Sequence, residues 1–137
     1  MSSVWVEDAA SIVRPPHMWD ETHDCVPVAL HILGVMDYVD AYCDLDHVRC
    51  EETGLIEYTP TEEYERVLAD AGWVEYSFDP KIRLADVPVW HDGPALIQSG
   101  SSKVHHVTAM KNGKLYDYKQ MRRMAWKMWQ PGEGALT

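Results

Sequence analysis

The chain has 137 residues, enough for one domain (1–137) with its own core and too few for two comfortable ones. Its apolar content of 46% is ordinary for a globular protein, and no apolar run approaches the roughly 18–20 residues of a membrane-spanning helix. The net charge is −10, unevenly spread: residues 1–118 hold 8 basic and 21 acidic side chains, a net of −13, and residues 119–137 hold 4 and 1, a net of +3.

A body this acidic repels phosphate backbones, which argues against nucleic acid as a partner and for a basic protein instead. The basic run Lys119, Arg122, Arg123 and Lys127 reads first as a solvated edge offsetting the acidic body, and second as a contact for an anion or acidic partner. The opening MSSVWVEDAASIV carries acids where a signal peptide carries lysine or arginine, so a cytoplasmic protein is expected, with no membrane partner. Three cysteines, an odd number, do not suggest a disulfide framework.

In chain order, residues 1–22 read as an irregular lead-in, because Pro15 and Pro16 rule out a continuous helix. Asp24 is placed to cap a helix from about Cys25 to Leu33, with Pro27 in the first turn and Gly34 as the stop. Val26, Ala29, Leu30 and Leu33 recur at helical spacing and are expected to face the core. A second helix is expected at about 36–43, while 44–58 carries no clear pattern. Thr59-Pro60-Thr61-Glu62 predicts a third helix with a capping box on Thr59, running to about Ala71 and stopped by Gly72.

The pattern then switches to strands: 73–78, 95–99, 104–111, 114–119 and, weakly, 124–129. Helices first and antiparallel strands afterwards predict an α+β domain, with a helix packed on a sheet of about four to five strands.

Asn112-Gly113 predicts a two-residue type I′ hairpin, which needs positive φ at both positions. Lys111 then pairs with Lys114, Met110 with Leu115, Ala109 with Tyr116, Thr108 with Asp117 and Val107 with Tyr118. Alternation puts His106, Thr108 and Met110 on one face with Leu115, Asp117 and Lys119. His106 lies diagonal to Asp117, close enough for a hydrogen bond. His105 points the other way and needs a bulge to reach it.

Cys25 at a helix start faces the positive end of the helix dipole, and an imidazolium neighbour further favours the nucleophilic thiolate. Cys25, His106 and Asp117 therefore form a candidate catalytic set: nucleophile, proton carrier and orienting acid. The Cys25 amide is a candidate oxyanion donor. Neither metal nor cofactor is expected. Cys43, His47 and Cys50, near Asp44 and Asp46, offer metal ligands, but no CxxC pair is present, so helix-face and loop roles are preferred. Trp73, Trp90, Trp126 and Trp129 are expected in the core or at its rim, with a peptide groove as the other possibility.

DCVPVAL resembles the Asp-Cys-Gly-Pro-x-Ala-Leu helix start of papain-like cysteine peptidases, especially the double-glycine-leader type. HHVTAMKNGKLYDY resembles the closing hairpin of small phage and bacterial papain-like proteins. The resemblance spans about 25 residues directly. It implies a papain-like domain, with Cys25 as nucleophile, His106 as general base and Asp117 as orienting acid. Two positions depart from the family pattern. Val26 stands where glycine is usual, and Trp19 and Asp20 stand where a glutamine donates to the oxyanion. His23 is the other candidate donor nearby. Losing one such donor typically costs about 10²–10³-fold in rate.

The expected function is a small intracellular thiol hydrolase acting on a peptide, isopeptide or other amide through an acyl-enzyme, with transfer to an amine as a close relative. The alternative is a non-catalytic phage or bacterial binding module that captures or inhibits a host protein through its acidic surface.

Overall fold

The computed structural model describes residues 4–18, 20–91, 93–100, 105–119 and 123–132. Among them the chain is mixed α+β, with five helices, a six-stranded sheet and a separate two-stranded ribbon. No helix there is long and apolar enough to cross a membrane.

The N-terminal segment is more ordered than its prolines suggest. It forms a short strand β1 (Trp5–Val6) and a helix α1 (Ala9–Val13), followed by a 3₁₀ turn at Pro16–Met18. The two-residue strand is held from outside: Val4 and Val6 carbonyls accept the Leu115 and Asp117 amides. Such a segment carries no periodicity of its own, which is why it read as irregular.

Helix α2 (Cys25–Ile32) starts at the expected residue, and Gly34 follows it at φ 72. Asp24 occupies the N-cap position but makes no side-chain cap, because its carboxylate is drawn elsewhere. Helix α3 (Tyr38–Asp44) begins with Asp37 accepting the Val39 amide at 3.2 Å. The unpatterned stretch forms the ribbon β2 (Val48–Arg49) with β3 (Ile56–Tyr58). Helix α4 (Thr61–Asp70) starts without the expected capping box. The Thr59 hydroxyl is taken by His47 Nδ1 at 2.7 Å, so Pro60 occupies the N-cap position.

The strands follow as β4 (Trp73–Arg83), β5 (Ala95–Gly100), β6 (His105–Lys111), β7 (Lys114–Tyr116) and β8 (Met124–Pro131), with a short helix α5 (Val87–Trp90) before β5. Val104, expected to open the strand at 104–111, and Arg122 of the basic run lie outside the described residues. Sheet order is β1-β7-β6-β5-β8-β4, antiparallel except for the parallel β1–β7 edge. The sixth strand beyond the expected four to five is β1. β4 runs past its expected end because Pro80 sits on the edge strand within a register shift between Ser77 and Ile82, where no ladder amide is required.

The hairpin forms as expected: Asn112 and Gly113 take φ 55 and 72, and Lys111, Met110 and Ala109 pair with Lys114, Leu115 and Tyr116. The ladder stops there. The expected Thr108–Asp117 and Val107–Tyr118 pairs do not continue it, because the Asp117 amide donates to Val6 across the parallel edge.

Helix α2 covers one face of the sheet, packing Val26, Ala29 and Leu30 against Leu96, Val107, Ala109 and Trp129, with Leu33 at the margin. Truncating a fully buried leucine such as Leu30 to alanine costs about 2–5 kcal/mol. The other face packs Ile97, Met110, Leu115 and Met128 against Leu84 and Val87. Among the described tryptophans, Trp73 packs partly buried against the core that holds Trp129, and the others differ in surroundings. Trp129 is buried edge-to-face on Tyr64, Trp126 lies under the Lys81 ammonium, and Trp90 stands exposed.

Candidate active site

The end of the β6–β7 ladder creates the site. Past the Ala109–Tyr116 pair, the chain at Asp117 turns its carboxylate toward β6. Both carboxylate oxygens lie 2.8 Å from His106 Nε2, the Thr108 hydroxyl donates to Oδ2 at 2.6 Å, and the Tyr118 amide donates to Oδ1 at 2.7 Å. An ionised carboxylate only accepts, so Nε2 carries the proton in this pair. His106 and Asp117 are both buried, at 8% and 4% exposure. That keeps their attraction in a poorly screened environment.

The protonated His106 ring is also favoured by Cys25, through a hydrogen bond to the sulfur and through its charge. With Nε2 committed to Asp117, the nitrogen left for the thiol is Nδ1. Burial alone lowers the His106 pKa. The hydrogen bonds to Asp117 and Cys25, with the negative charge of both, outweigh it and push the value up from 6.5 to about 10. Cys25, Ala29, Val107, Tyr116, Asp117 and Tyr118 line one crevice of about 10 Å³, at the threshold for a single water. The three residues singled out from the sequence are thus brought together. His105 faces away, as the register requires: it packs against Trp126, with Nδ1 3.1 Å from Thr61 Oγ1.

Asp24 was expected as a helix cap and is instead the hub of a buried cluster at the start of α2. Arg14 donates to it twice, at 2.9 and 2.7 Å, Tyr38 at 2.5 Å and Tyr118 at 2.6 Å. Burial favours the neutral acid, but these donors prevail and hold the carboxyl below its ordinary range. Tyr118 is raised well above the ordinary phenol value by burial and by the charges of Cys25 and Asp24. Its ring lies 6.1 Å from the His106 ring, so one side chain touches both halves of the site. A sequence signal for this cluster existed. Arg14 is the only lysine or arginine before Arg49, in a strongly acidic segment, and such a cation is a natural partner for a buried acid.

Glu21, also overlooked, is 1% exposed and organises the approach to α2. Its carboxylate accepts from the Thr22, His23 and Ile56 amides and from the Tyr42 hydroxyl. Those donors outweigh burial and keep its pKa low.

Of the two positions where a glutamine was sought, Asp20 is exposed and Trp19 lies outside the described residues. A buried carboxamide is present elsewhere: Gln98 on β5 donates to Tyr64 at 2.6 Å and to Thr61 at 3.1 Å. Tyr64 is pushed up to about 12, chiefly by burial, with Cys25 adding its charge.

The weighed metal ligands stay apart. His47 spends both nitrogens on Thr59 and the Ala41 carbonyl, Cys43 is exposed, and no group of three ligand side chains forms among the described residues. Comparison with protein-family models, with curated proteins and with solved structures finds no match.

Proposed function

We propose that this chain is a papain-like thiol hydrolase that cleaves a peptide, isopeptide or other amide through an acyl-enzyme. The observation that carries the proposal is the His106 ring, bonded to Asp117 through Nε2 and interacting with the Cys25 thiol. The raised imidazole stays protonated beside the Cys25 sulfur, placed to pair with it during attack and to supply the proton that the leaving group needs.

In this mechanism the Cys25 thiolate attacks the amide carbonyl carbon. A C–S bond forms, and the π electrons move to oxygen. The Cys25 amide, in the first helical turn and without a carbonyl partner inside the helix, donates to that oxyanion. On collapse the C–N bond breaks, and His106 gives its proton to the departing amine. Water then attacks the thioester while His106 takes a proton from it, releasing the acid and restoring the thiol pair. Asp117 holds the ring and stabilises its charge throughout.

The test is a mixed peptide library incubated with the protein and read by mass spectrometry. New termini are expected with the wild type and none with Cys25→Ala; equal cleavage by both would refute the proposal. The net charge of −13 over residues 1–118 favours a second reading, an acidic surface that captures a basic protein without catalysis. Undiminished biological activity of Cys25→Ala would select it.

A further inference from the structure

The crevice beside Cys25 is too small to hold a substrate, so the substrate groove is sought elsewhere on the surface. A separate cleft of about 630 Å³, within the range of ligand sites, opens between His23, His105 and the segment 57–62. His23, two residues before Cys25, lines it together with His105, whose ring points away from His106 toward Thr61 and Trp126. Thr61 on its wall accepts a hydrogen bond from Tyr64, whose hydroxyl feels the Cys25 charge.

The lining is charged in one sense. Glu57 and Glu62 are exposed on its wall, and no lysine or arginine is among the described lining residues. Neighbouring acids are committed within the fold: Glu21 to four donors, Glu63 to the Asp46 amide and Arg66. Among the described residues, Glu57 and Glu62 enter no ion pair. Tyr58, between them in sequence, also lines the cleft and is 56% exposed; an accessible aromatic ring attracts cations as well.

We propose that this cleft is the substrate groove of the Cys25 site and receives a cationic side chain, lysine or arginine, flanking the scissile amide. The proposal rests on the thiol-hydrolase function and specifies its substrate class.

Matched methanethiosulfonate reagents test it without knowledge of the cleaved bond. A thiolate attacks the sulfenyl sulfur, an S–S bond forms, and methanesulfinate leaves with the electron pair. Rates at Cys25 and at the exposed reference Cys43 are read by peptide mapping with trimethylammonium-ethyl, sulfonatoethyl and neutral methyl reagents. The cation-to-anion rate ratio at Cys25 is expected to exceed that at Cys43 about tenfold and to fall as salt rises. It should drop toward the Cys43 value in the Glu57→Gln/Glu62→Gln variant, whose sites are exposed. Equal ratios at the two cysteines, or a ratio the double variant leaves unchanged, overturn the cleft assignment. If the neutral reagent still prefers Cys25 in that case, the thiol-hydrolase proposal stands alone. If it does not, both fall.

Discussion

The Tyr118 hydroxyl donates a 2.6 Å hydrogen bond to Asp24, joining the residue after Asp117 to the residue before Cys25 across 94 positions of sequence. The bond ties the start of α2 to the strand end next to Asp117. Tyr118→Phe keeps the ring beside His106 but removes one donor from a buried carboxylate. A loss of about 1.5–3 kcal/mol in denaturant unfolding is expected. Arg14→Met leaves Asp24 without a counter-charge and is expected to cost more, about 3–5 kcal/mol. Equal stability of wild type and Arg14→Met would show that the cluster does not hold the helix start.

Stability should depend on pH from both sides. His106 is raised in the folded state, so its contribution is full below about pH 6.5 and is lost as pH rises through about 10. Asp24 and Glu21 are lowered, so theirs is full above their ordinary values of 3.8 and 4.5 and is lost as pH falls through the folded values. These groups together place the optimum between about pH 4.5 and 6.5. Denaturant midpoints measured from pH 3 to 10 check this, and His106→Ala should flatten the alkaline slope alone. Parallel alkaline slopes in the two proteins would assign the loss to another group.

Asp117→Asn removes the strongest hydrogen bond and one of the two charges that hold His106 up, leaving Cys25 alone to oppose burial, so its pKa falls. The alkaline limb of the rate profile, expected near pH 10 in the wild type, should move to lower pH. Turnover should fall by about 10²–10⁴-fold, the usual range for general acid–base assistance. An NMR titration of His106 reads the shift directly, and an unchanged titration would separate Asp117 from the histidine.

Much of this site was legible because it depends on local rules. Asn112-Gly113 demands a type I′ turn, the turn fixes the register, and the register selects His106 over His105. The start of α2 at Cys25 and its apolar face were equally local. The Asp24 cluster was not. Its donors come from ten residues before and from 14 and 94 residues after, and no spacing rule connects them. Strand β1 was hidden for the same reason, since two residues have no period and pair only because β7 offers an edge. Thr59 had the right chemistry for a cap, but His47 competed for its hydroxyl.

The most direct test of the catalytic set is the iodoacetamide alkylation rate of Cys25 against Cys43 in one protein. A Cys50→Ser background is needed, because hydrogen bonds from the Thr53 side chain and nearby amides favour the Cys50 thiolate as well. At pH 6.5, Cys25 is expected to react at least about tenfold faster than Cys43, and His106→Ala should remove that advantage while Cys43 is unaffected. Equal rates at the two cysteines, or a Cys25 rate indifferent to His106→Ala, would contradict a thiolate–imidazolium pair at this site.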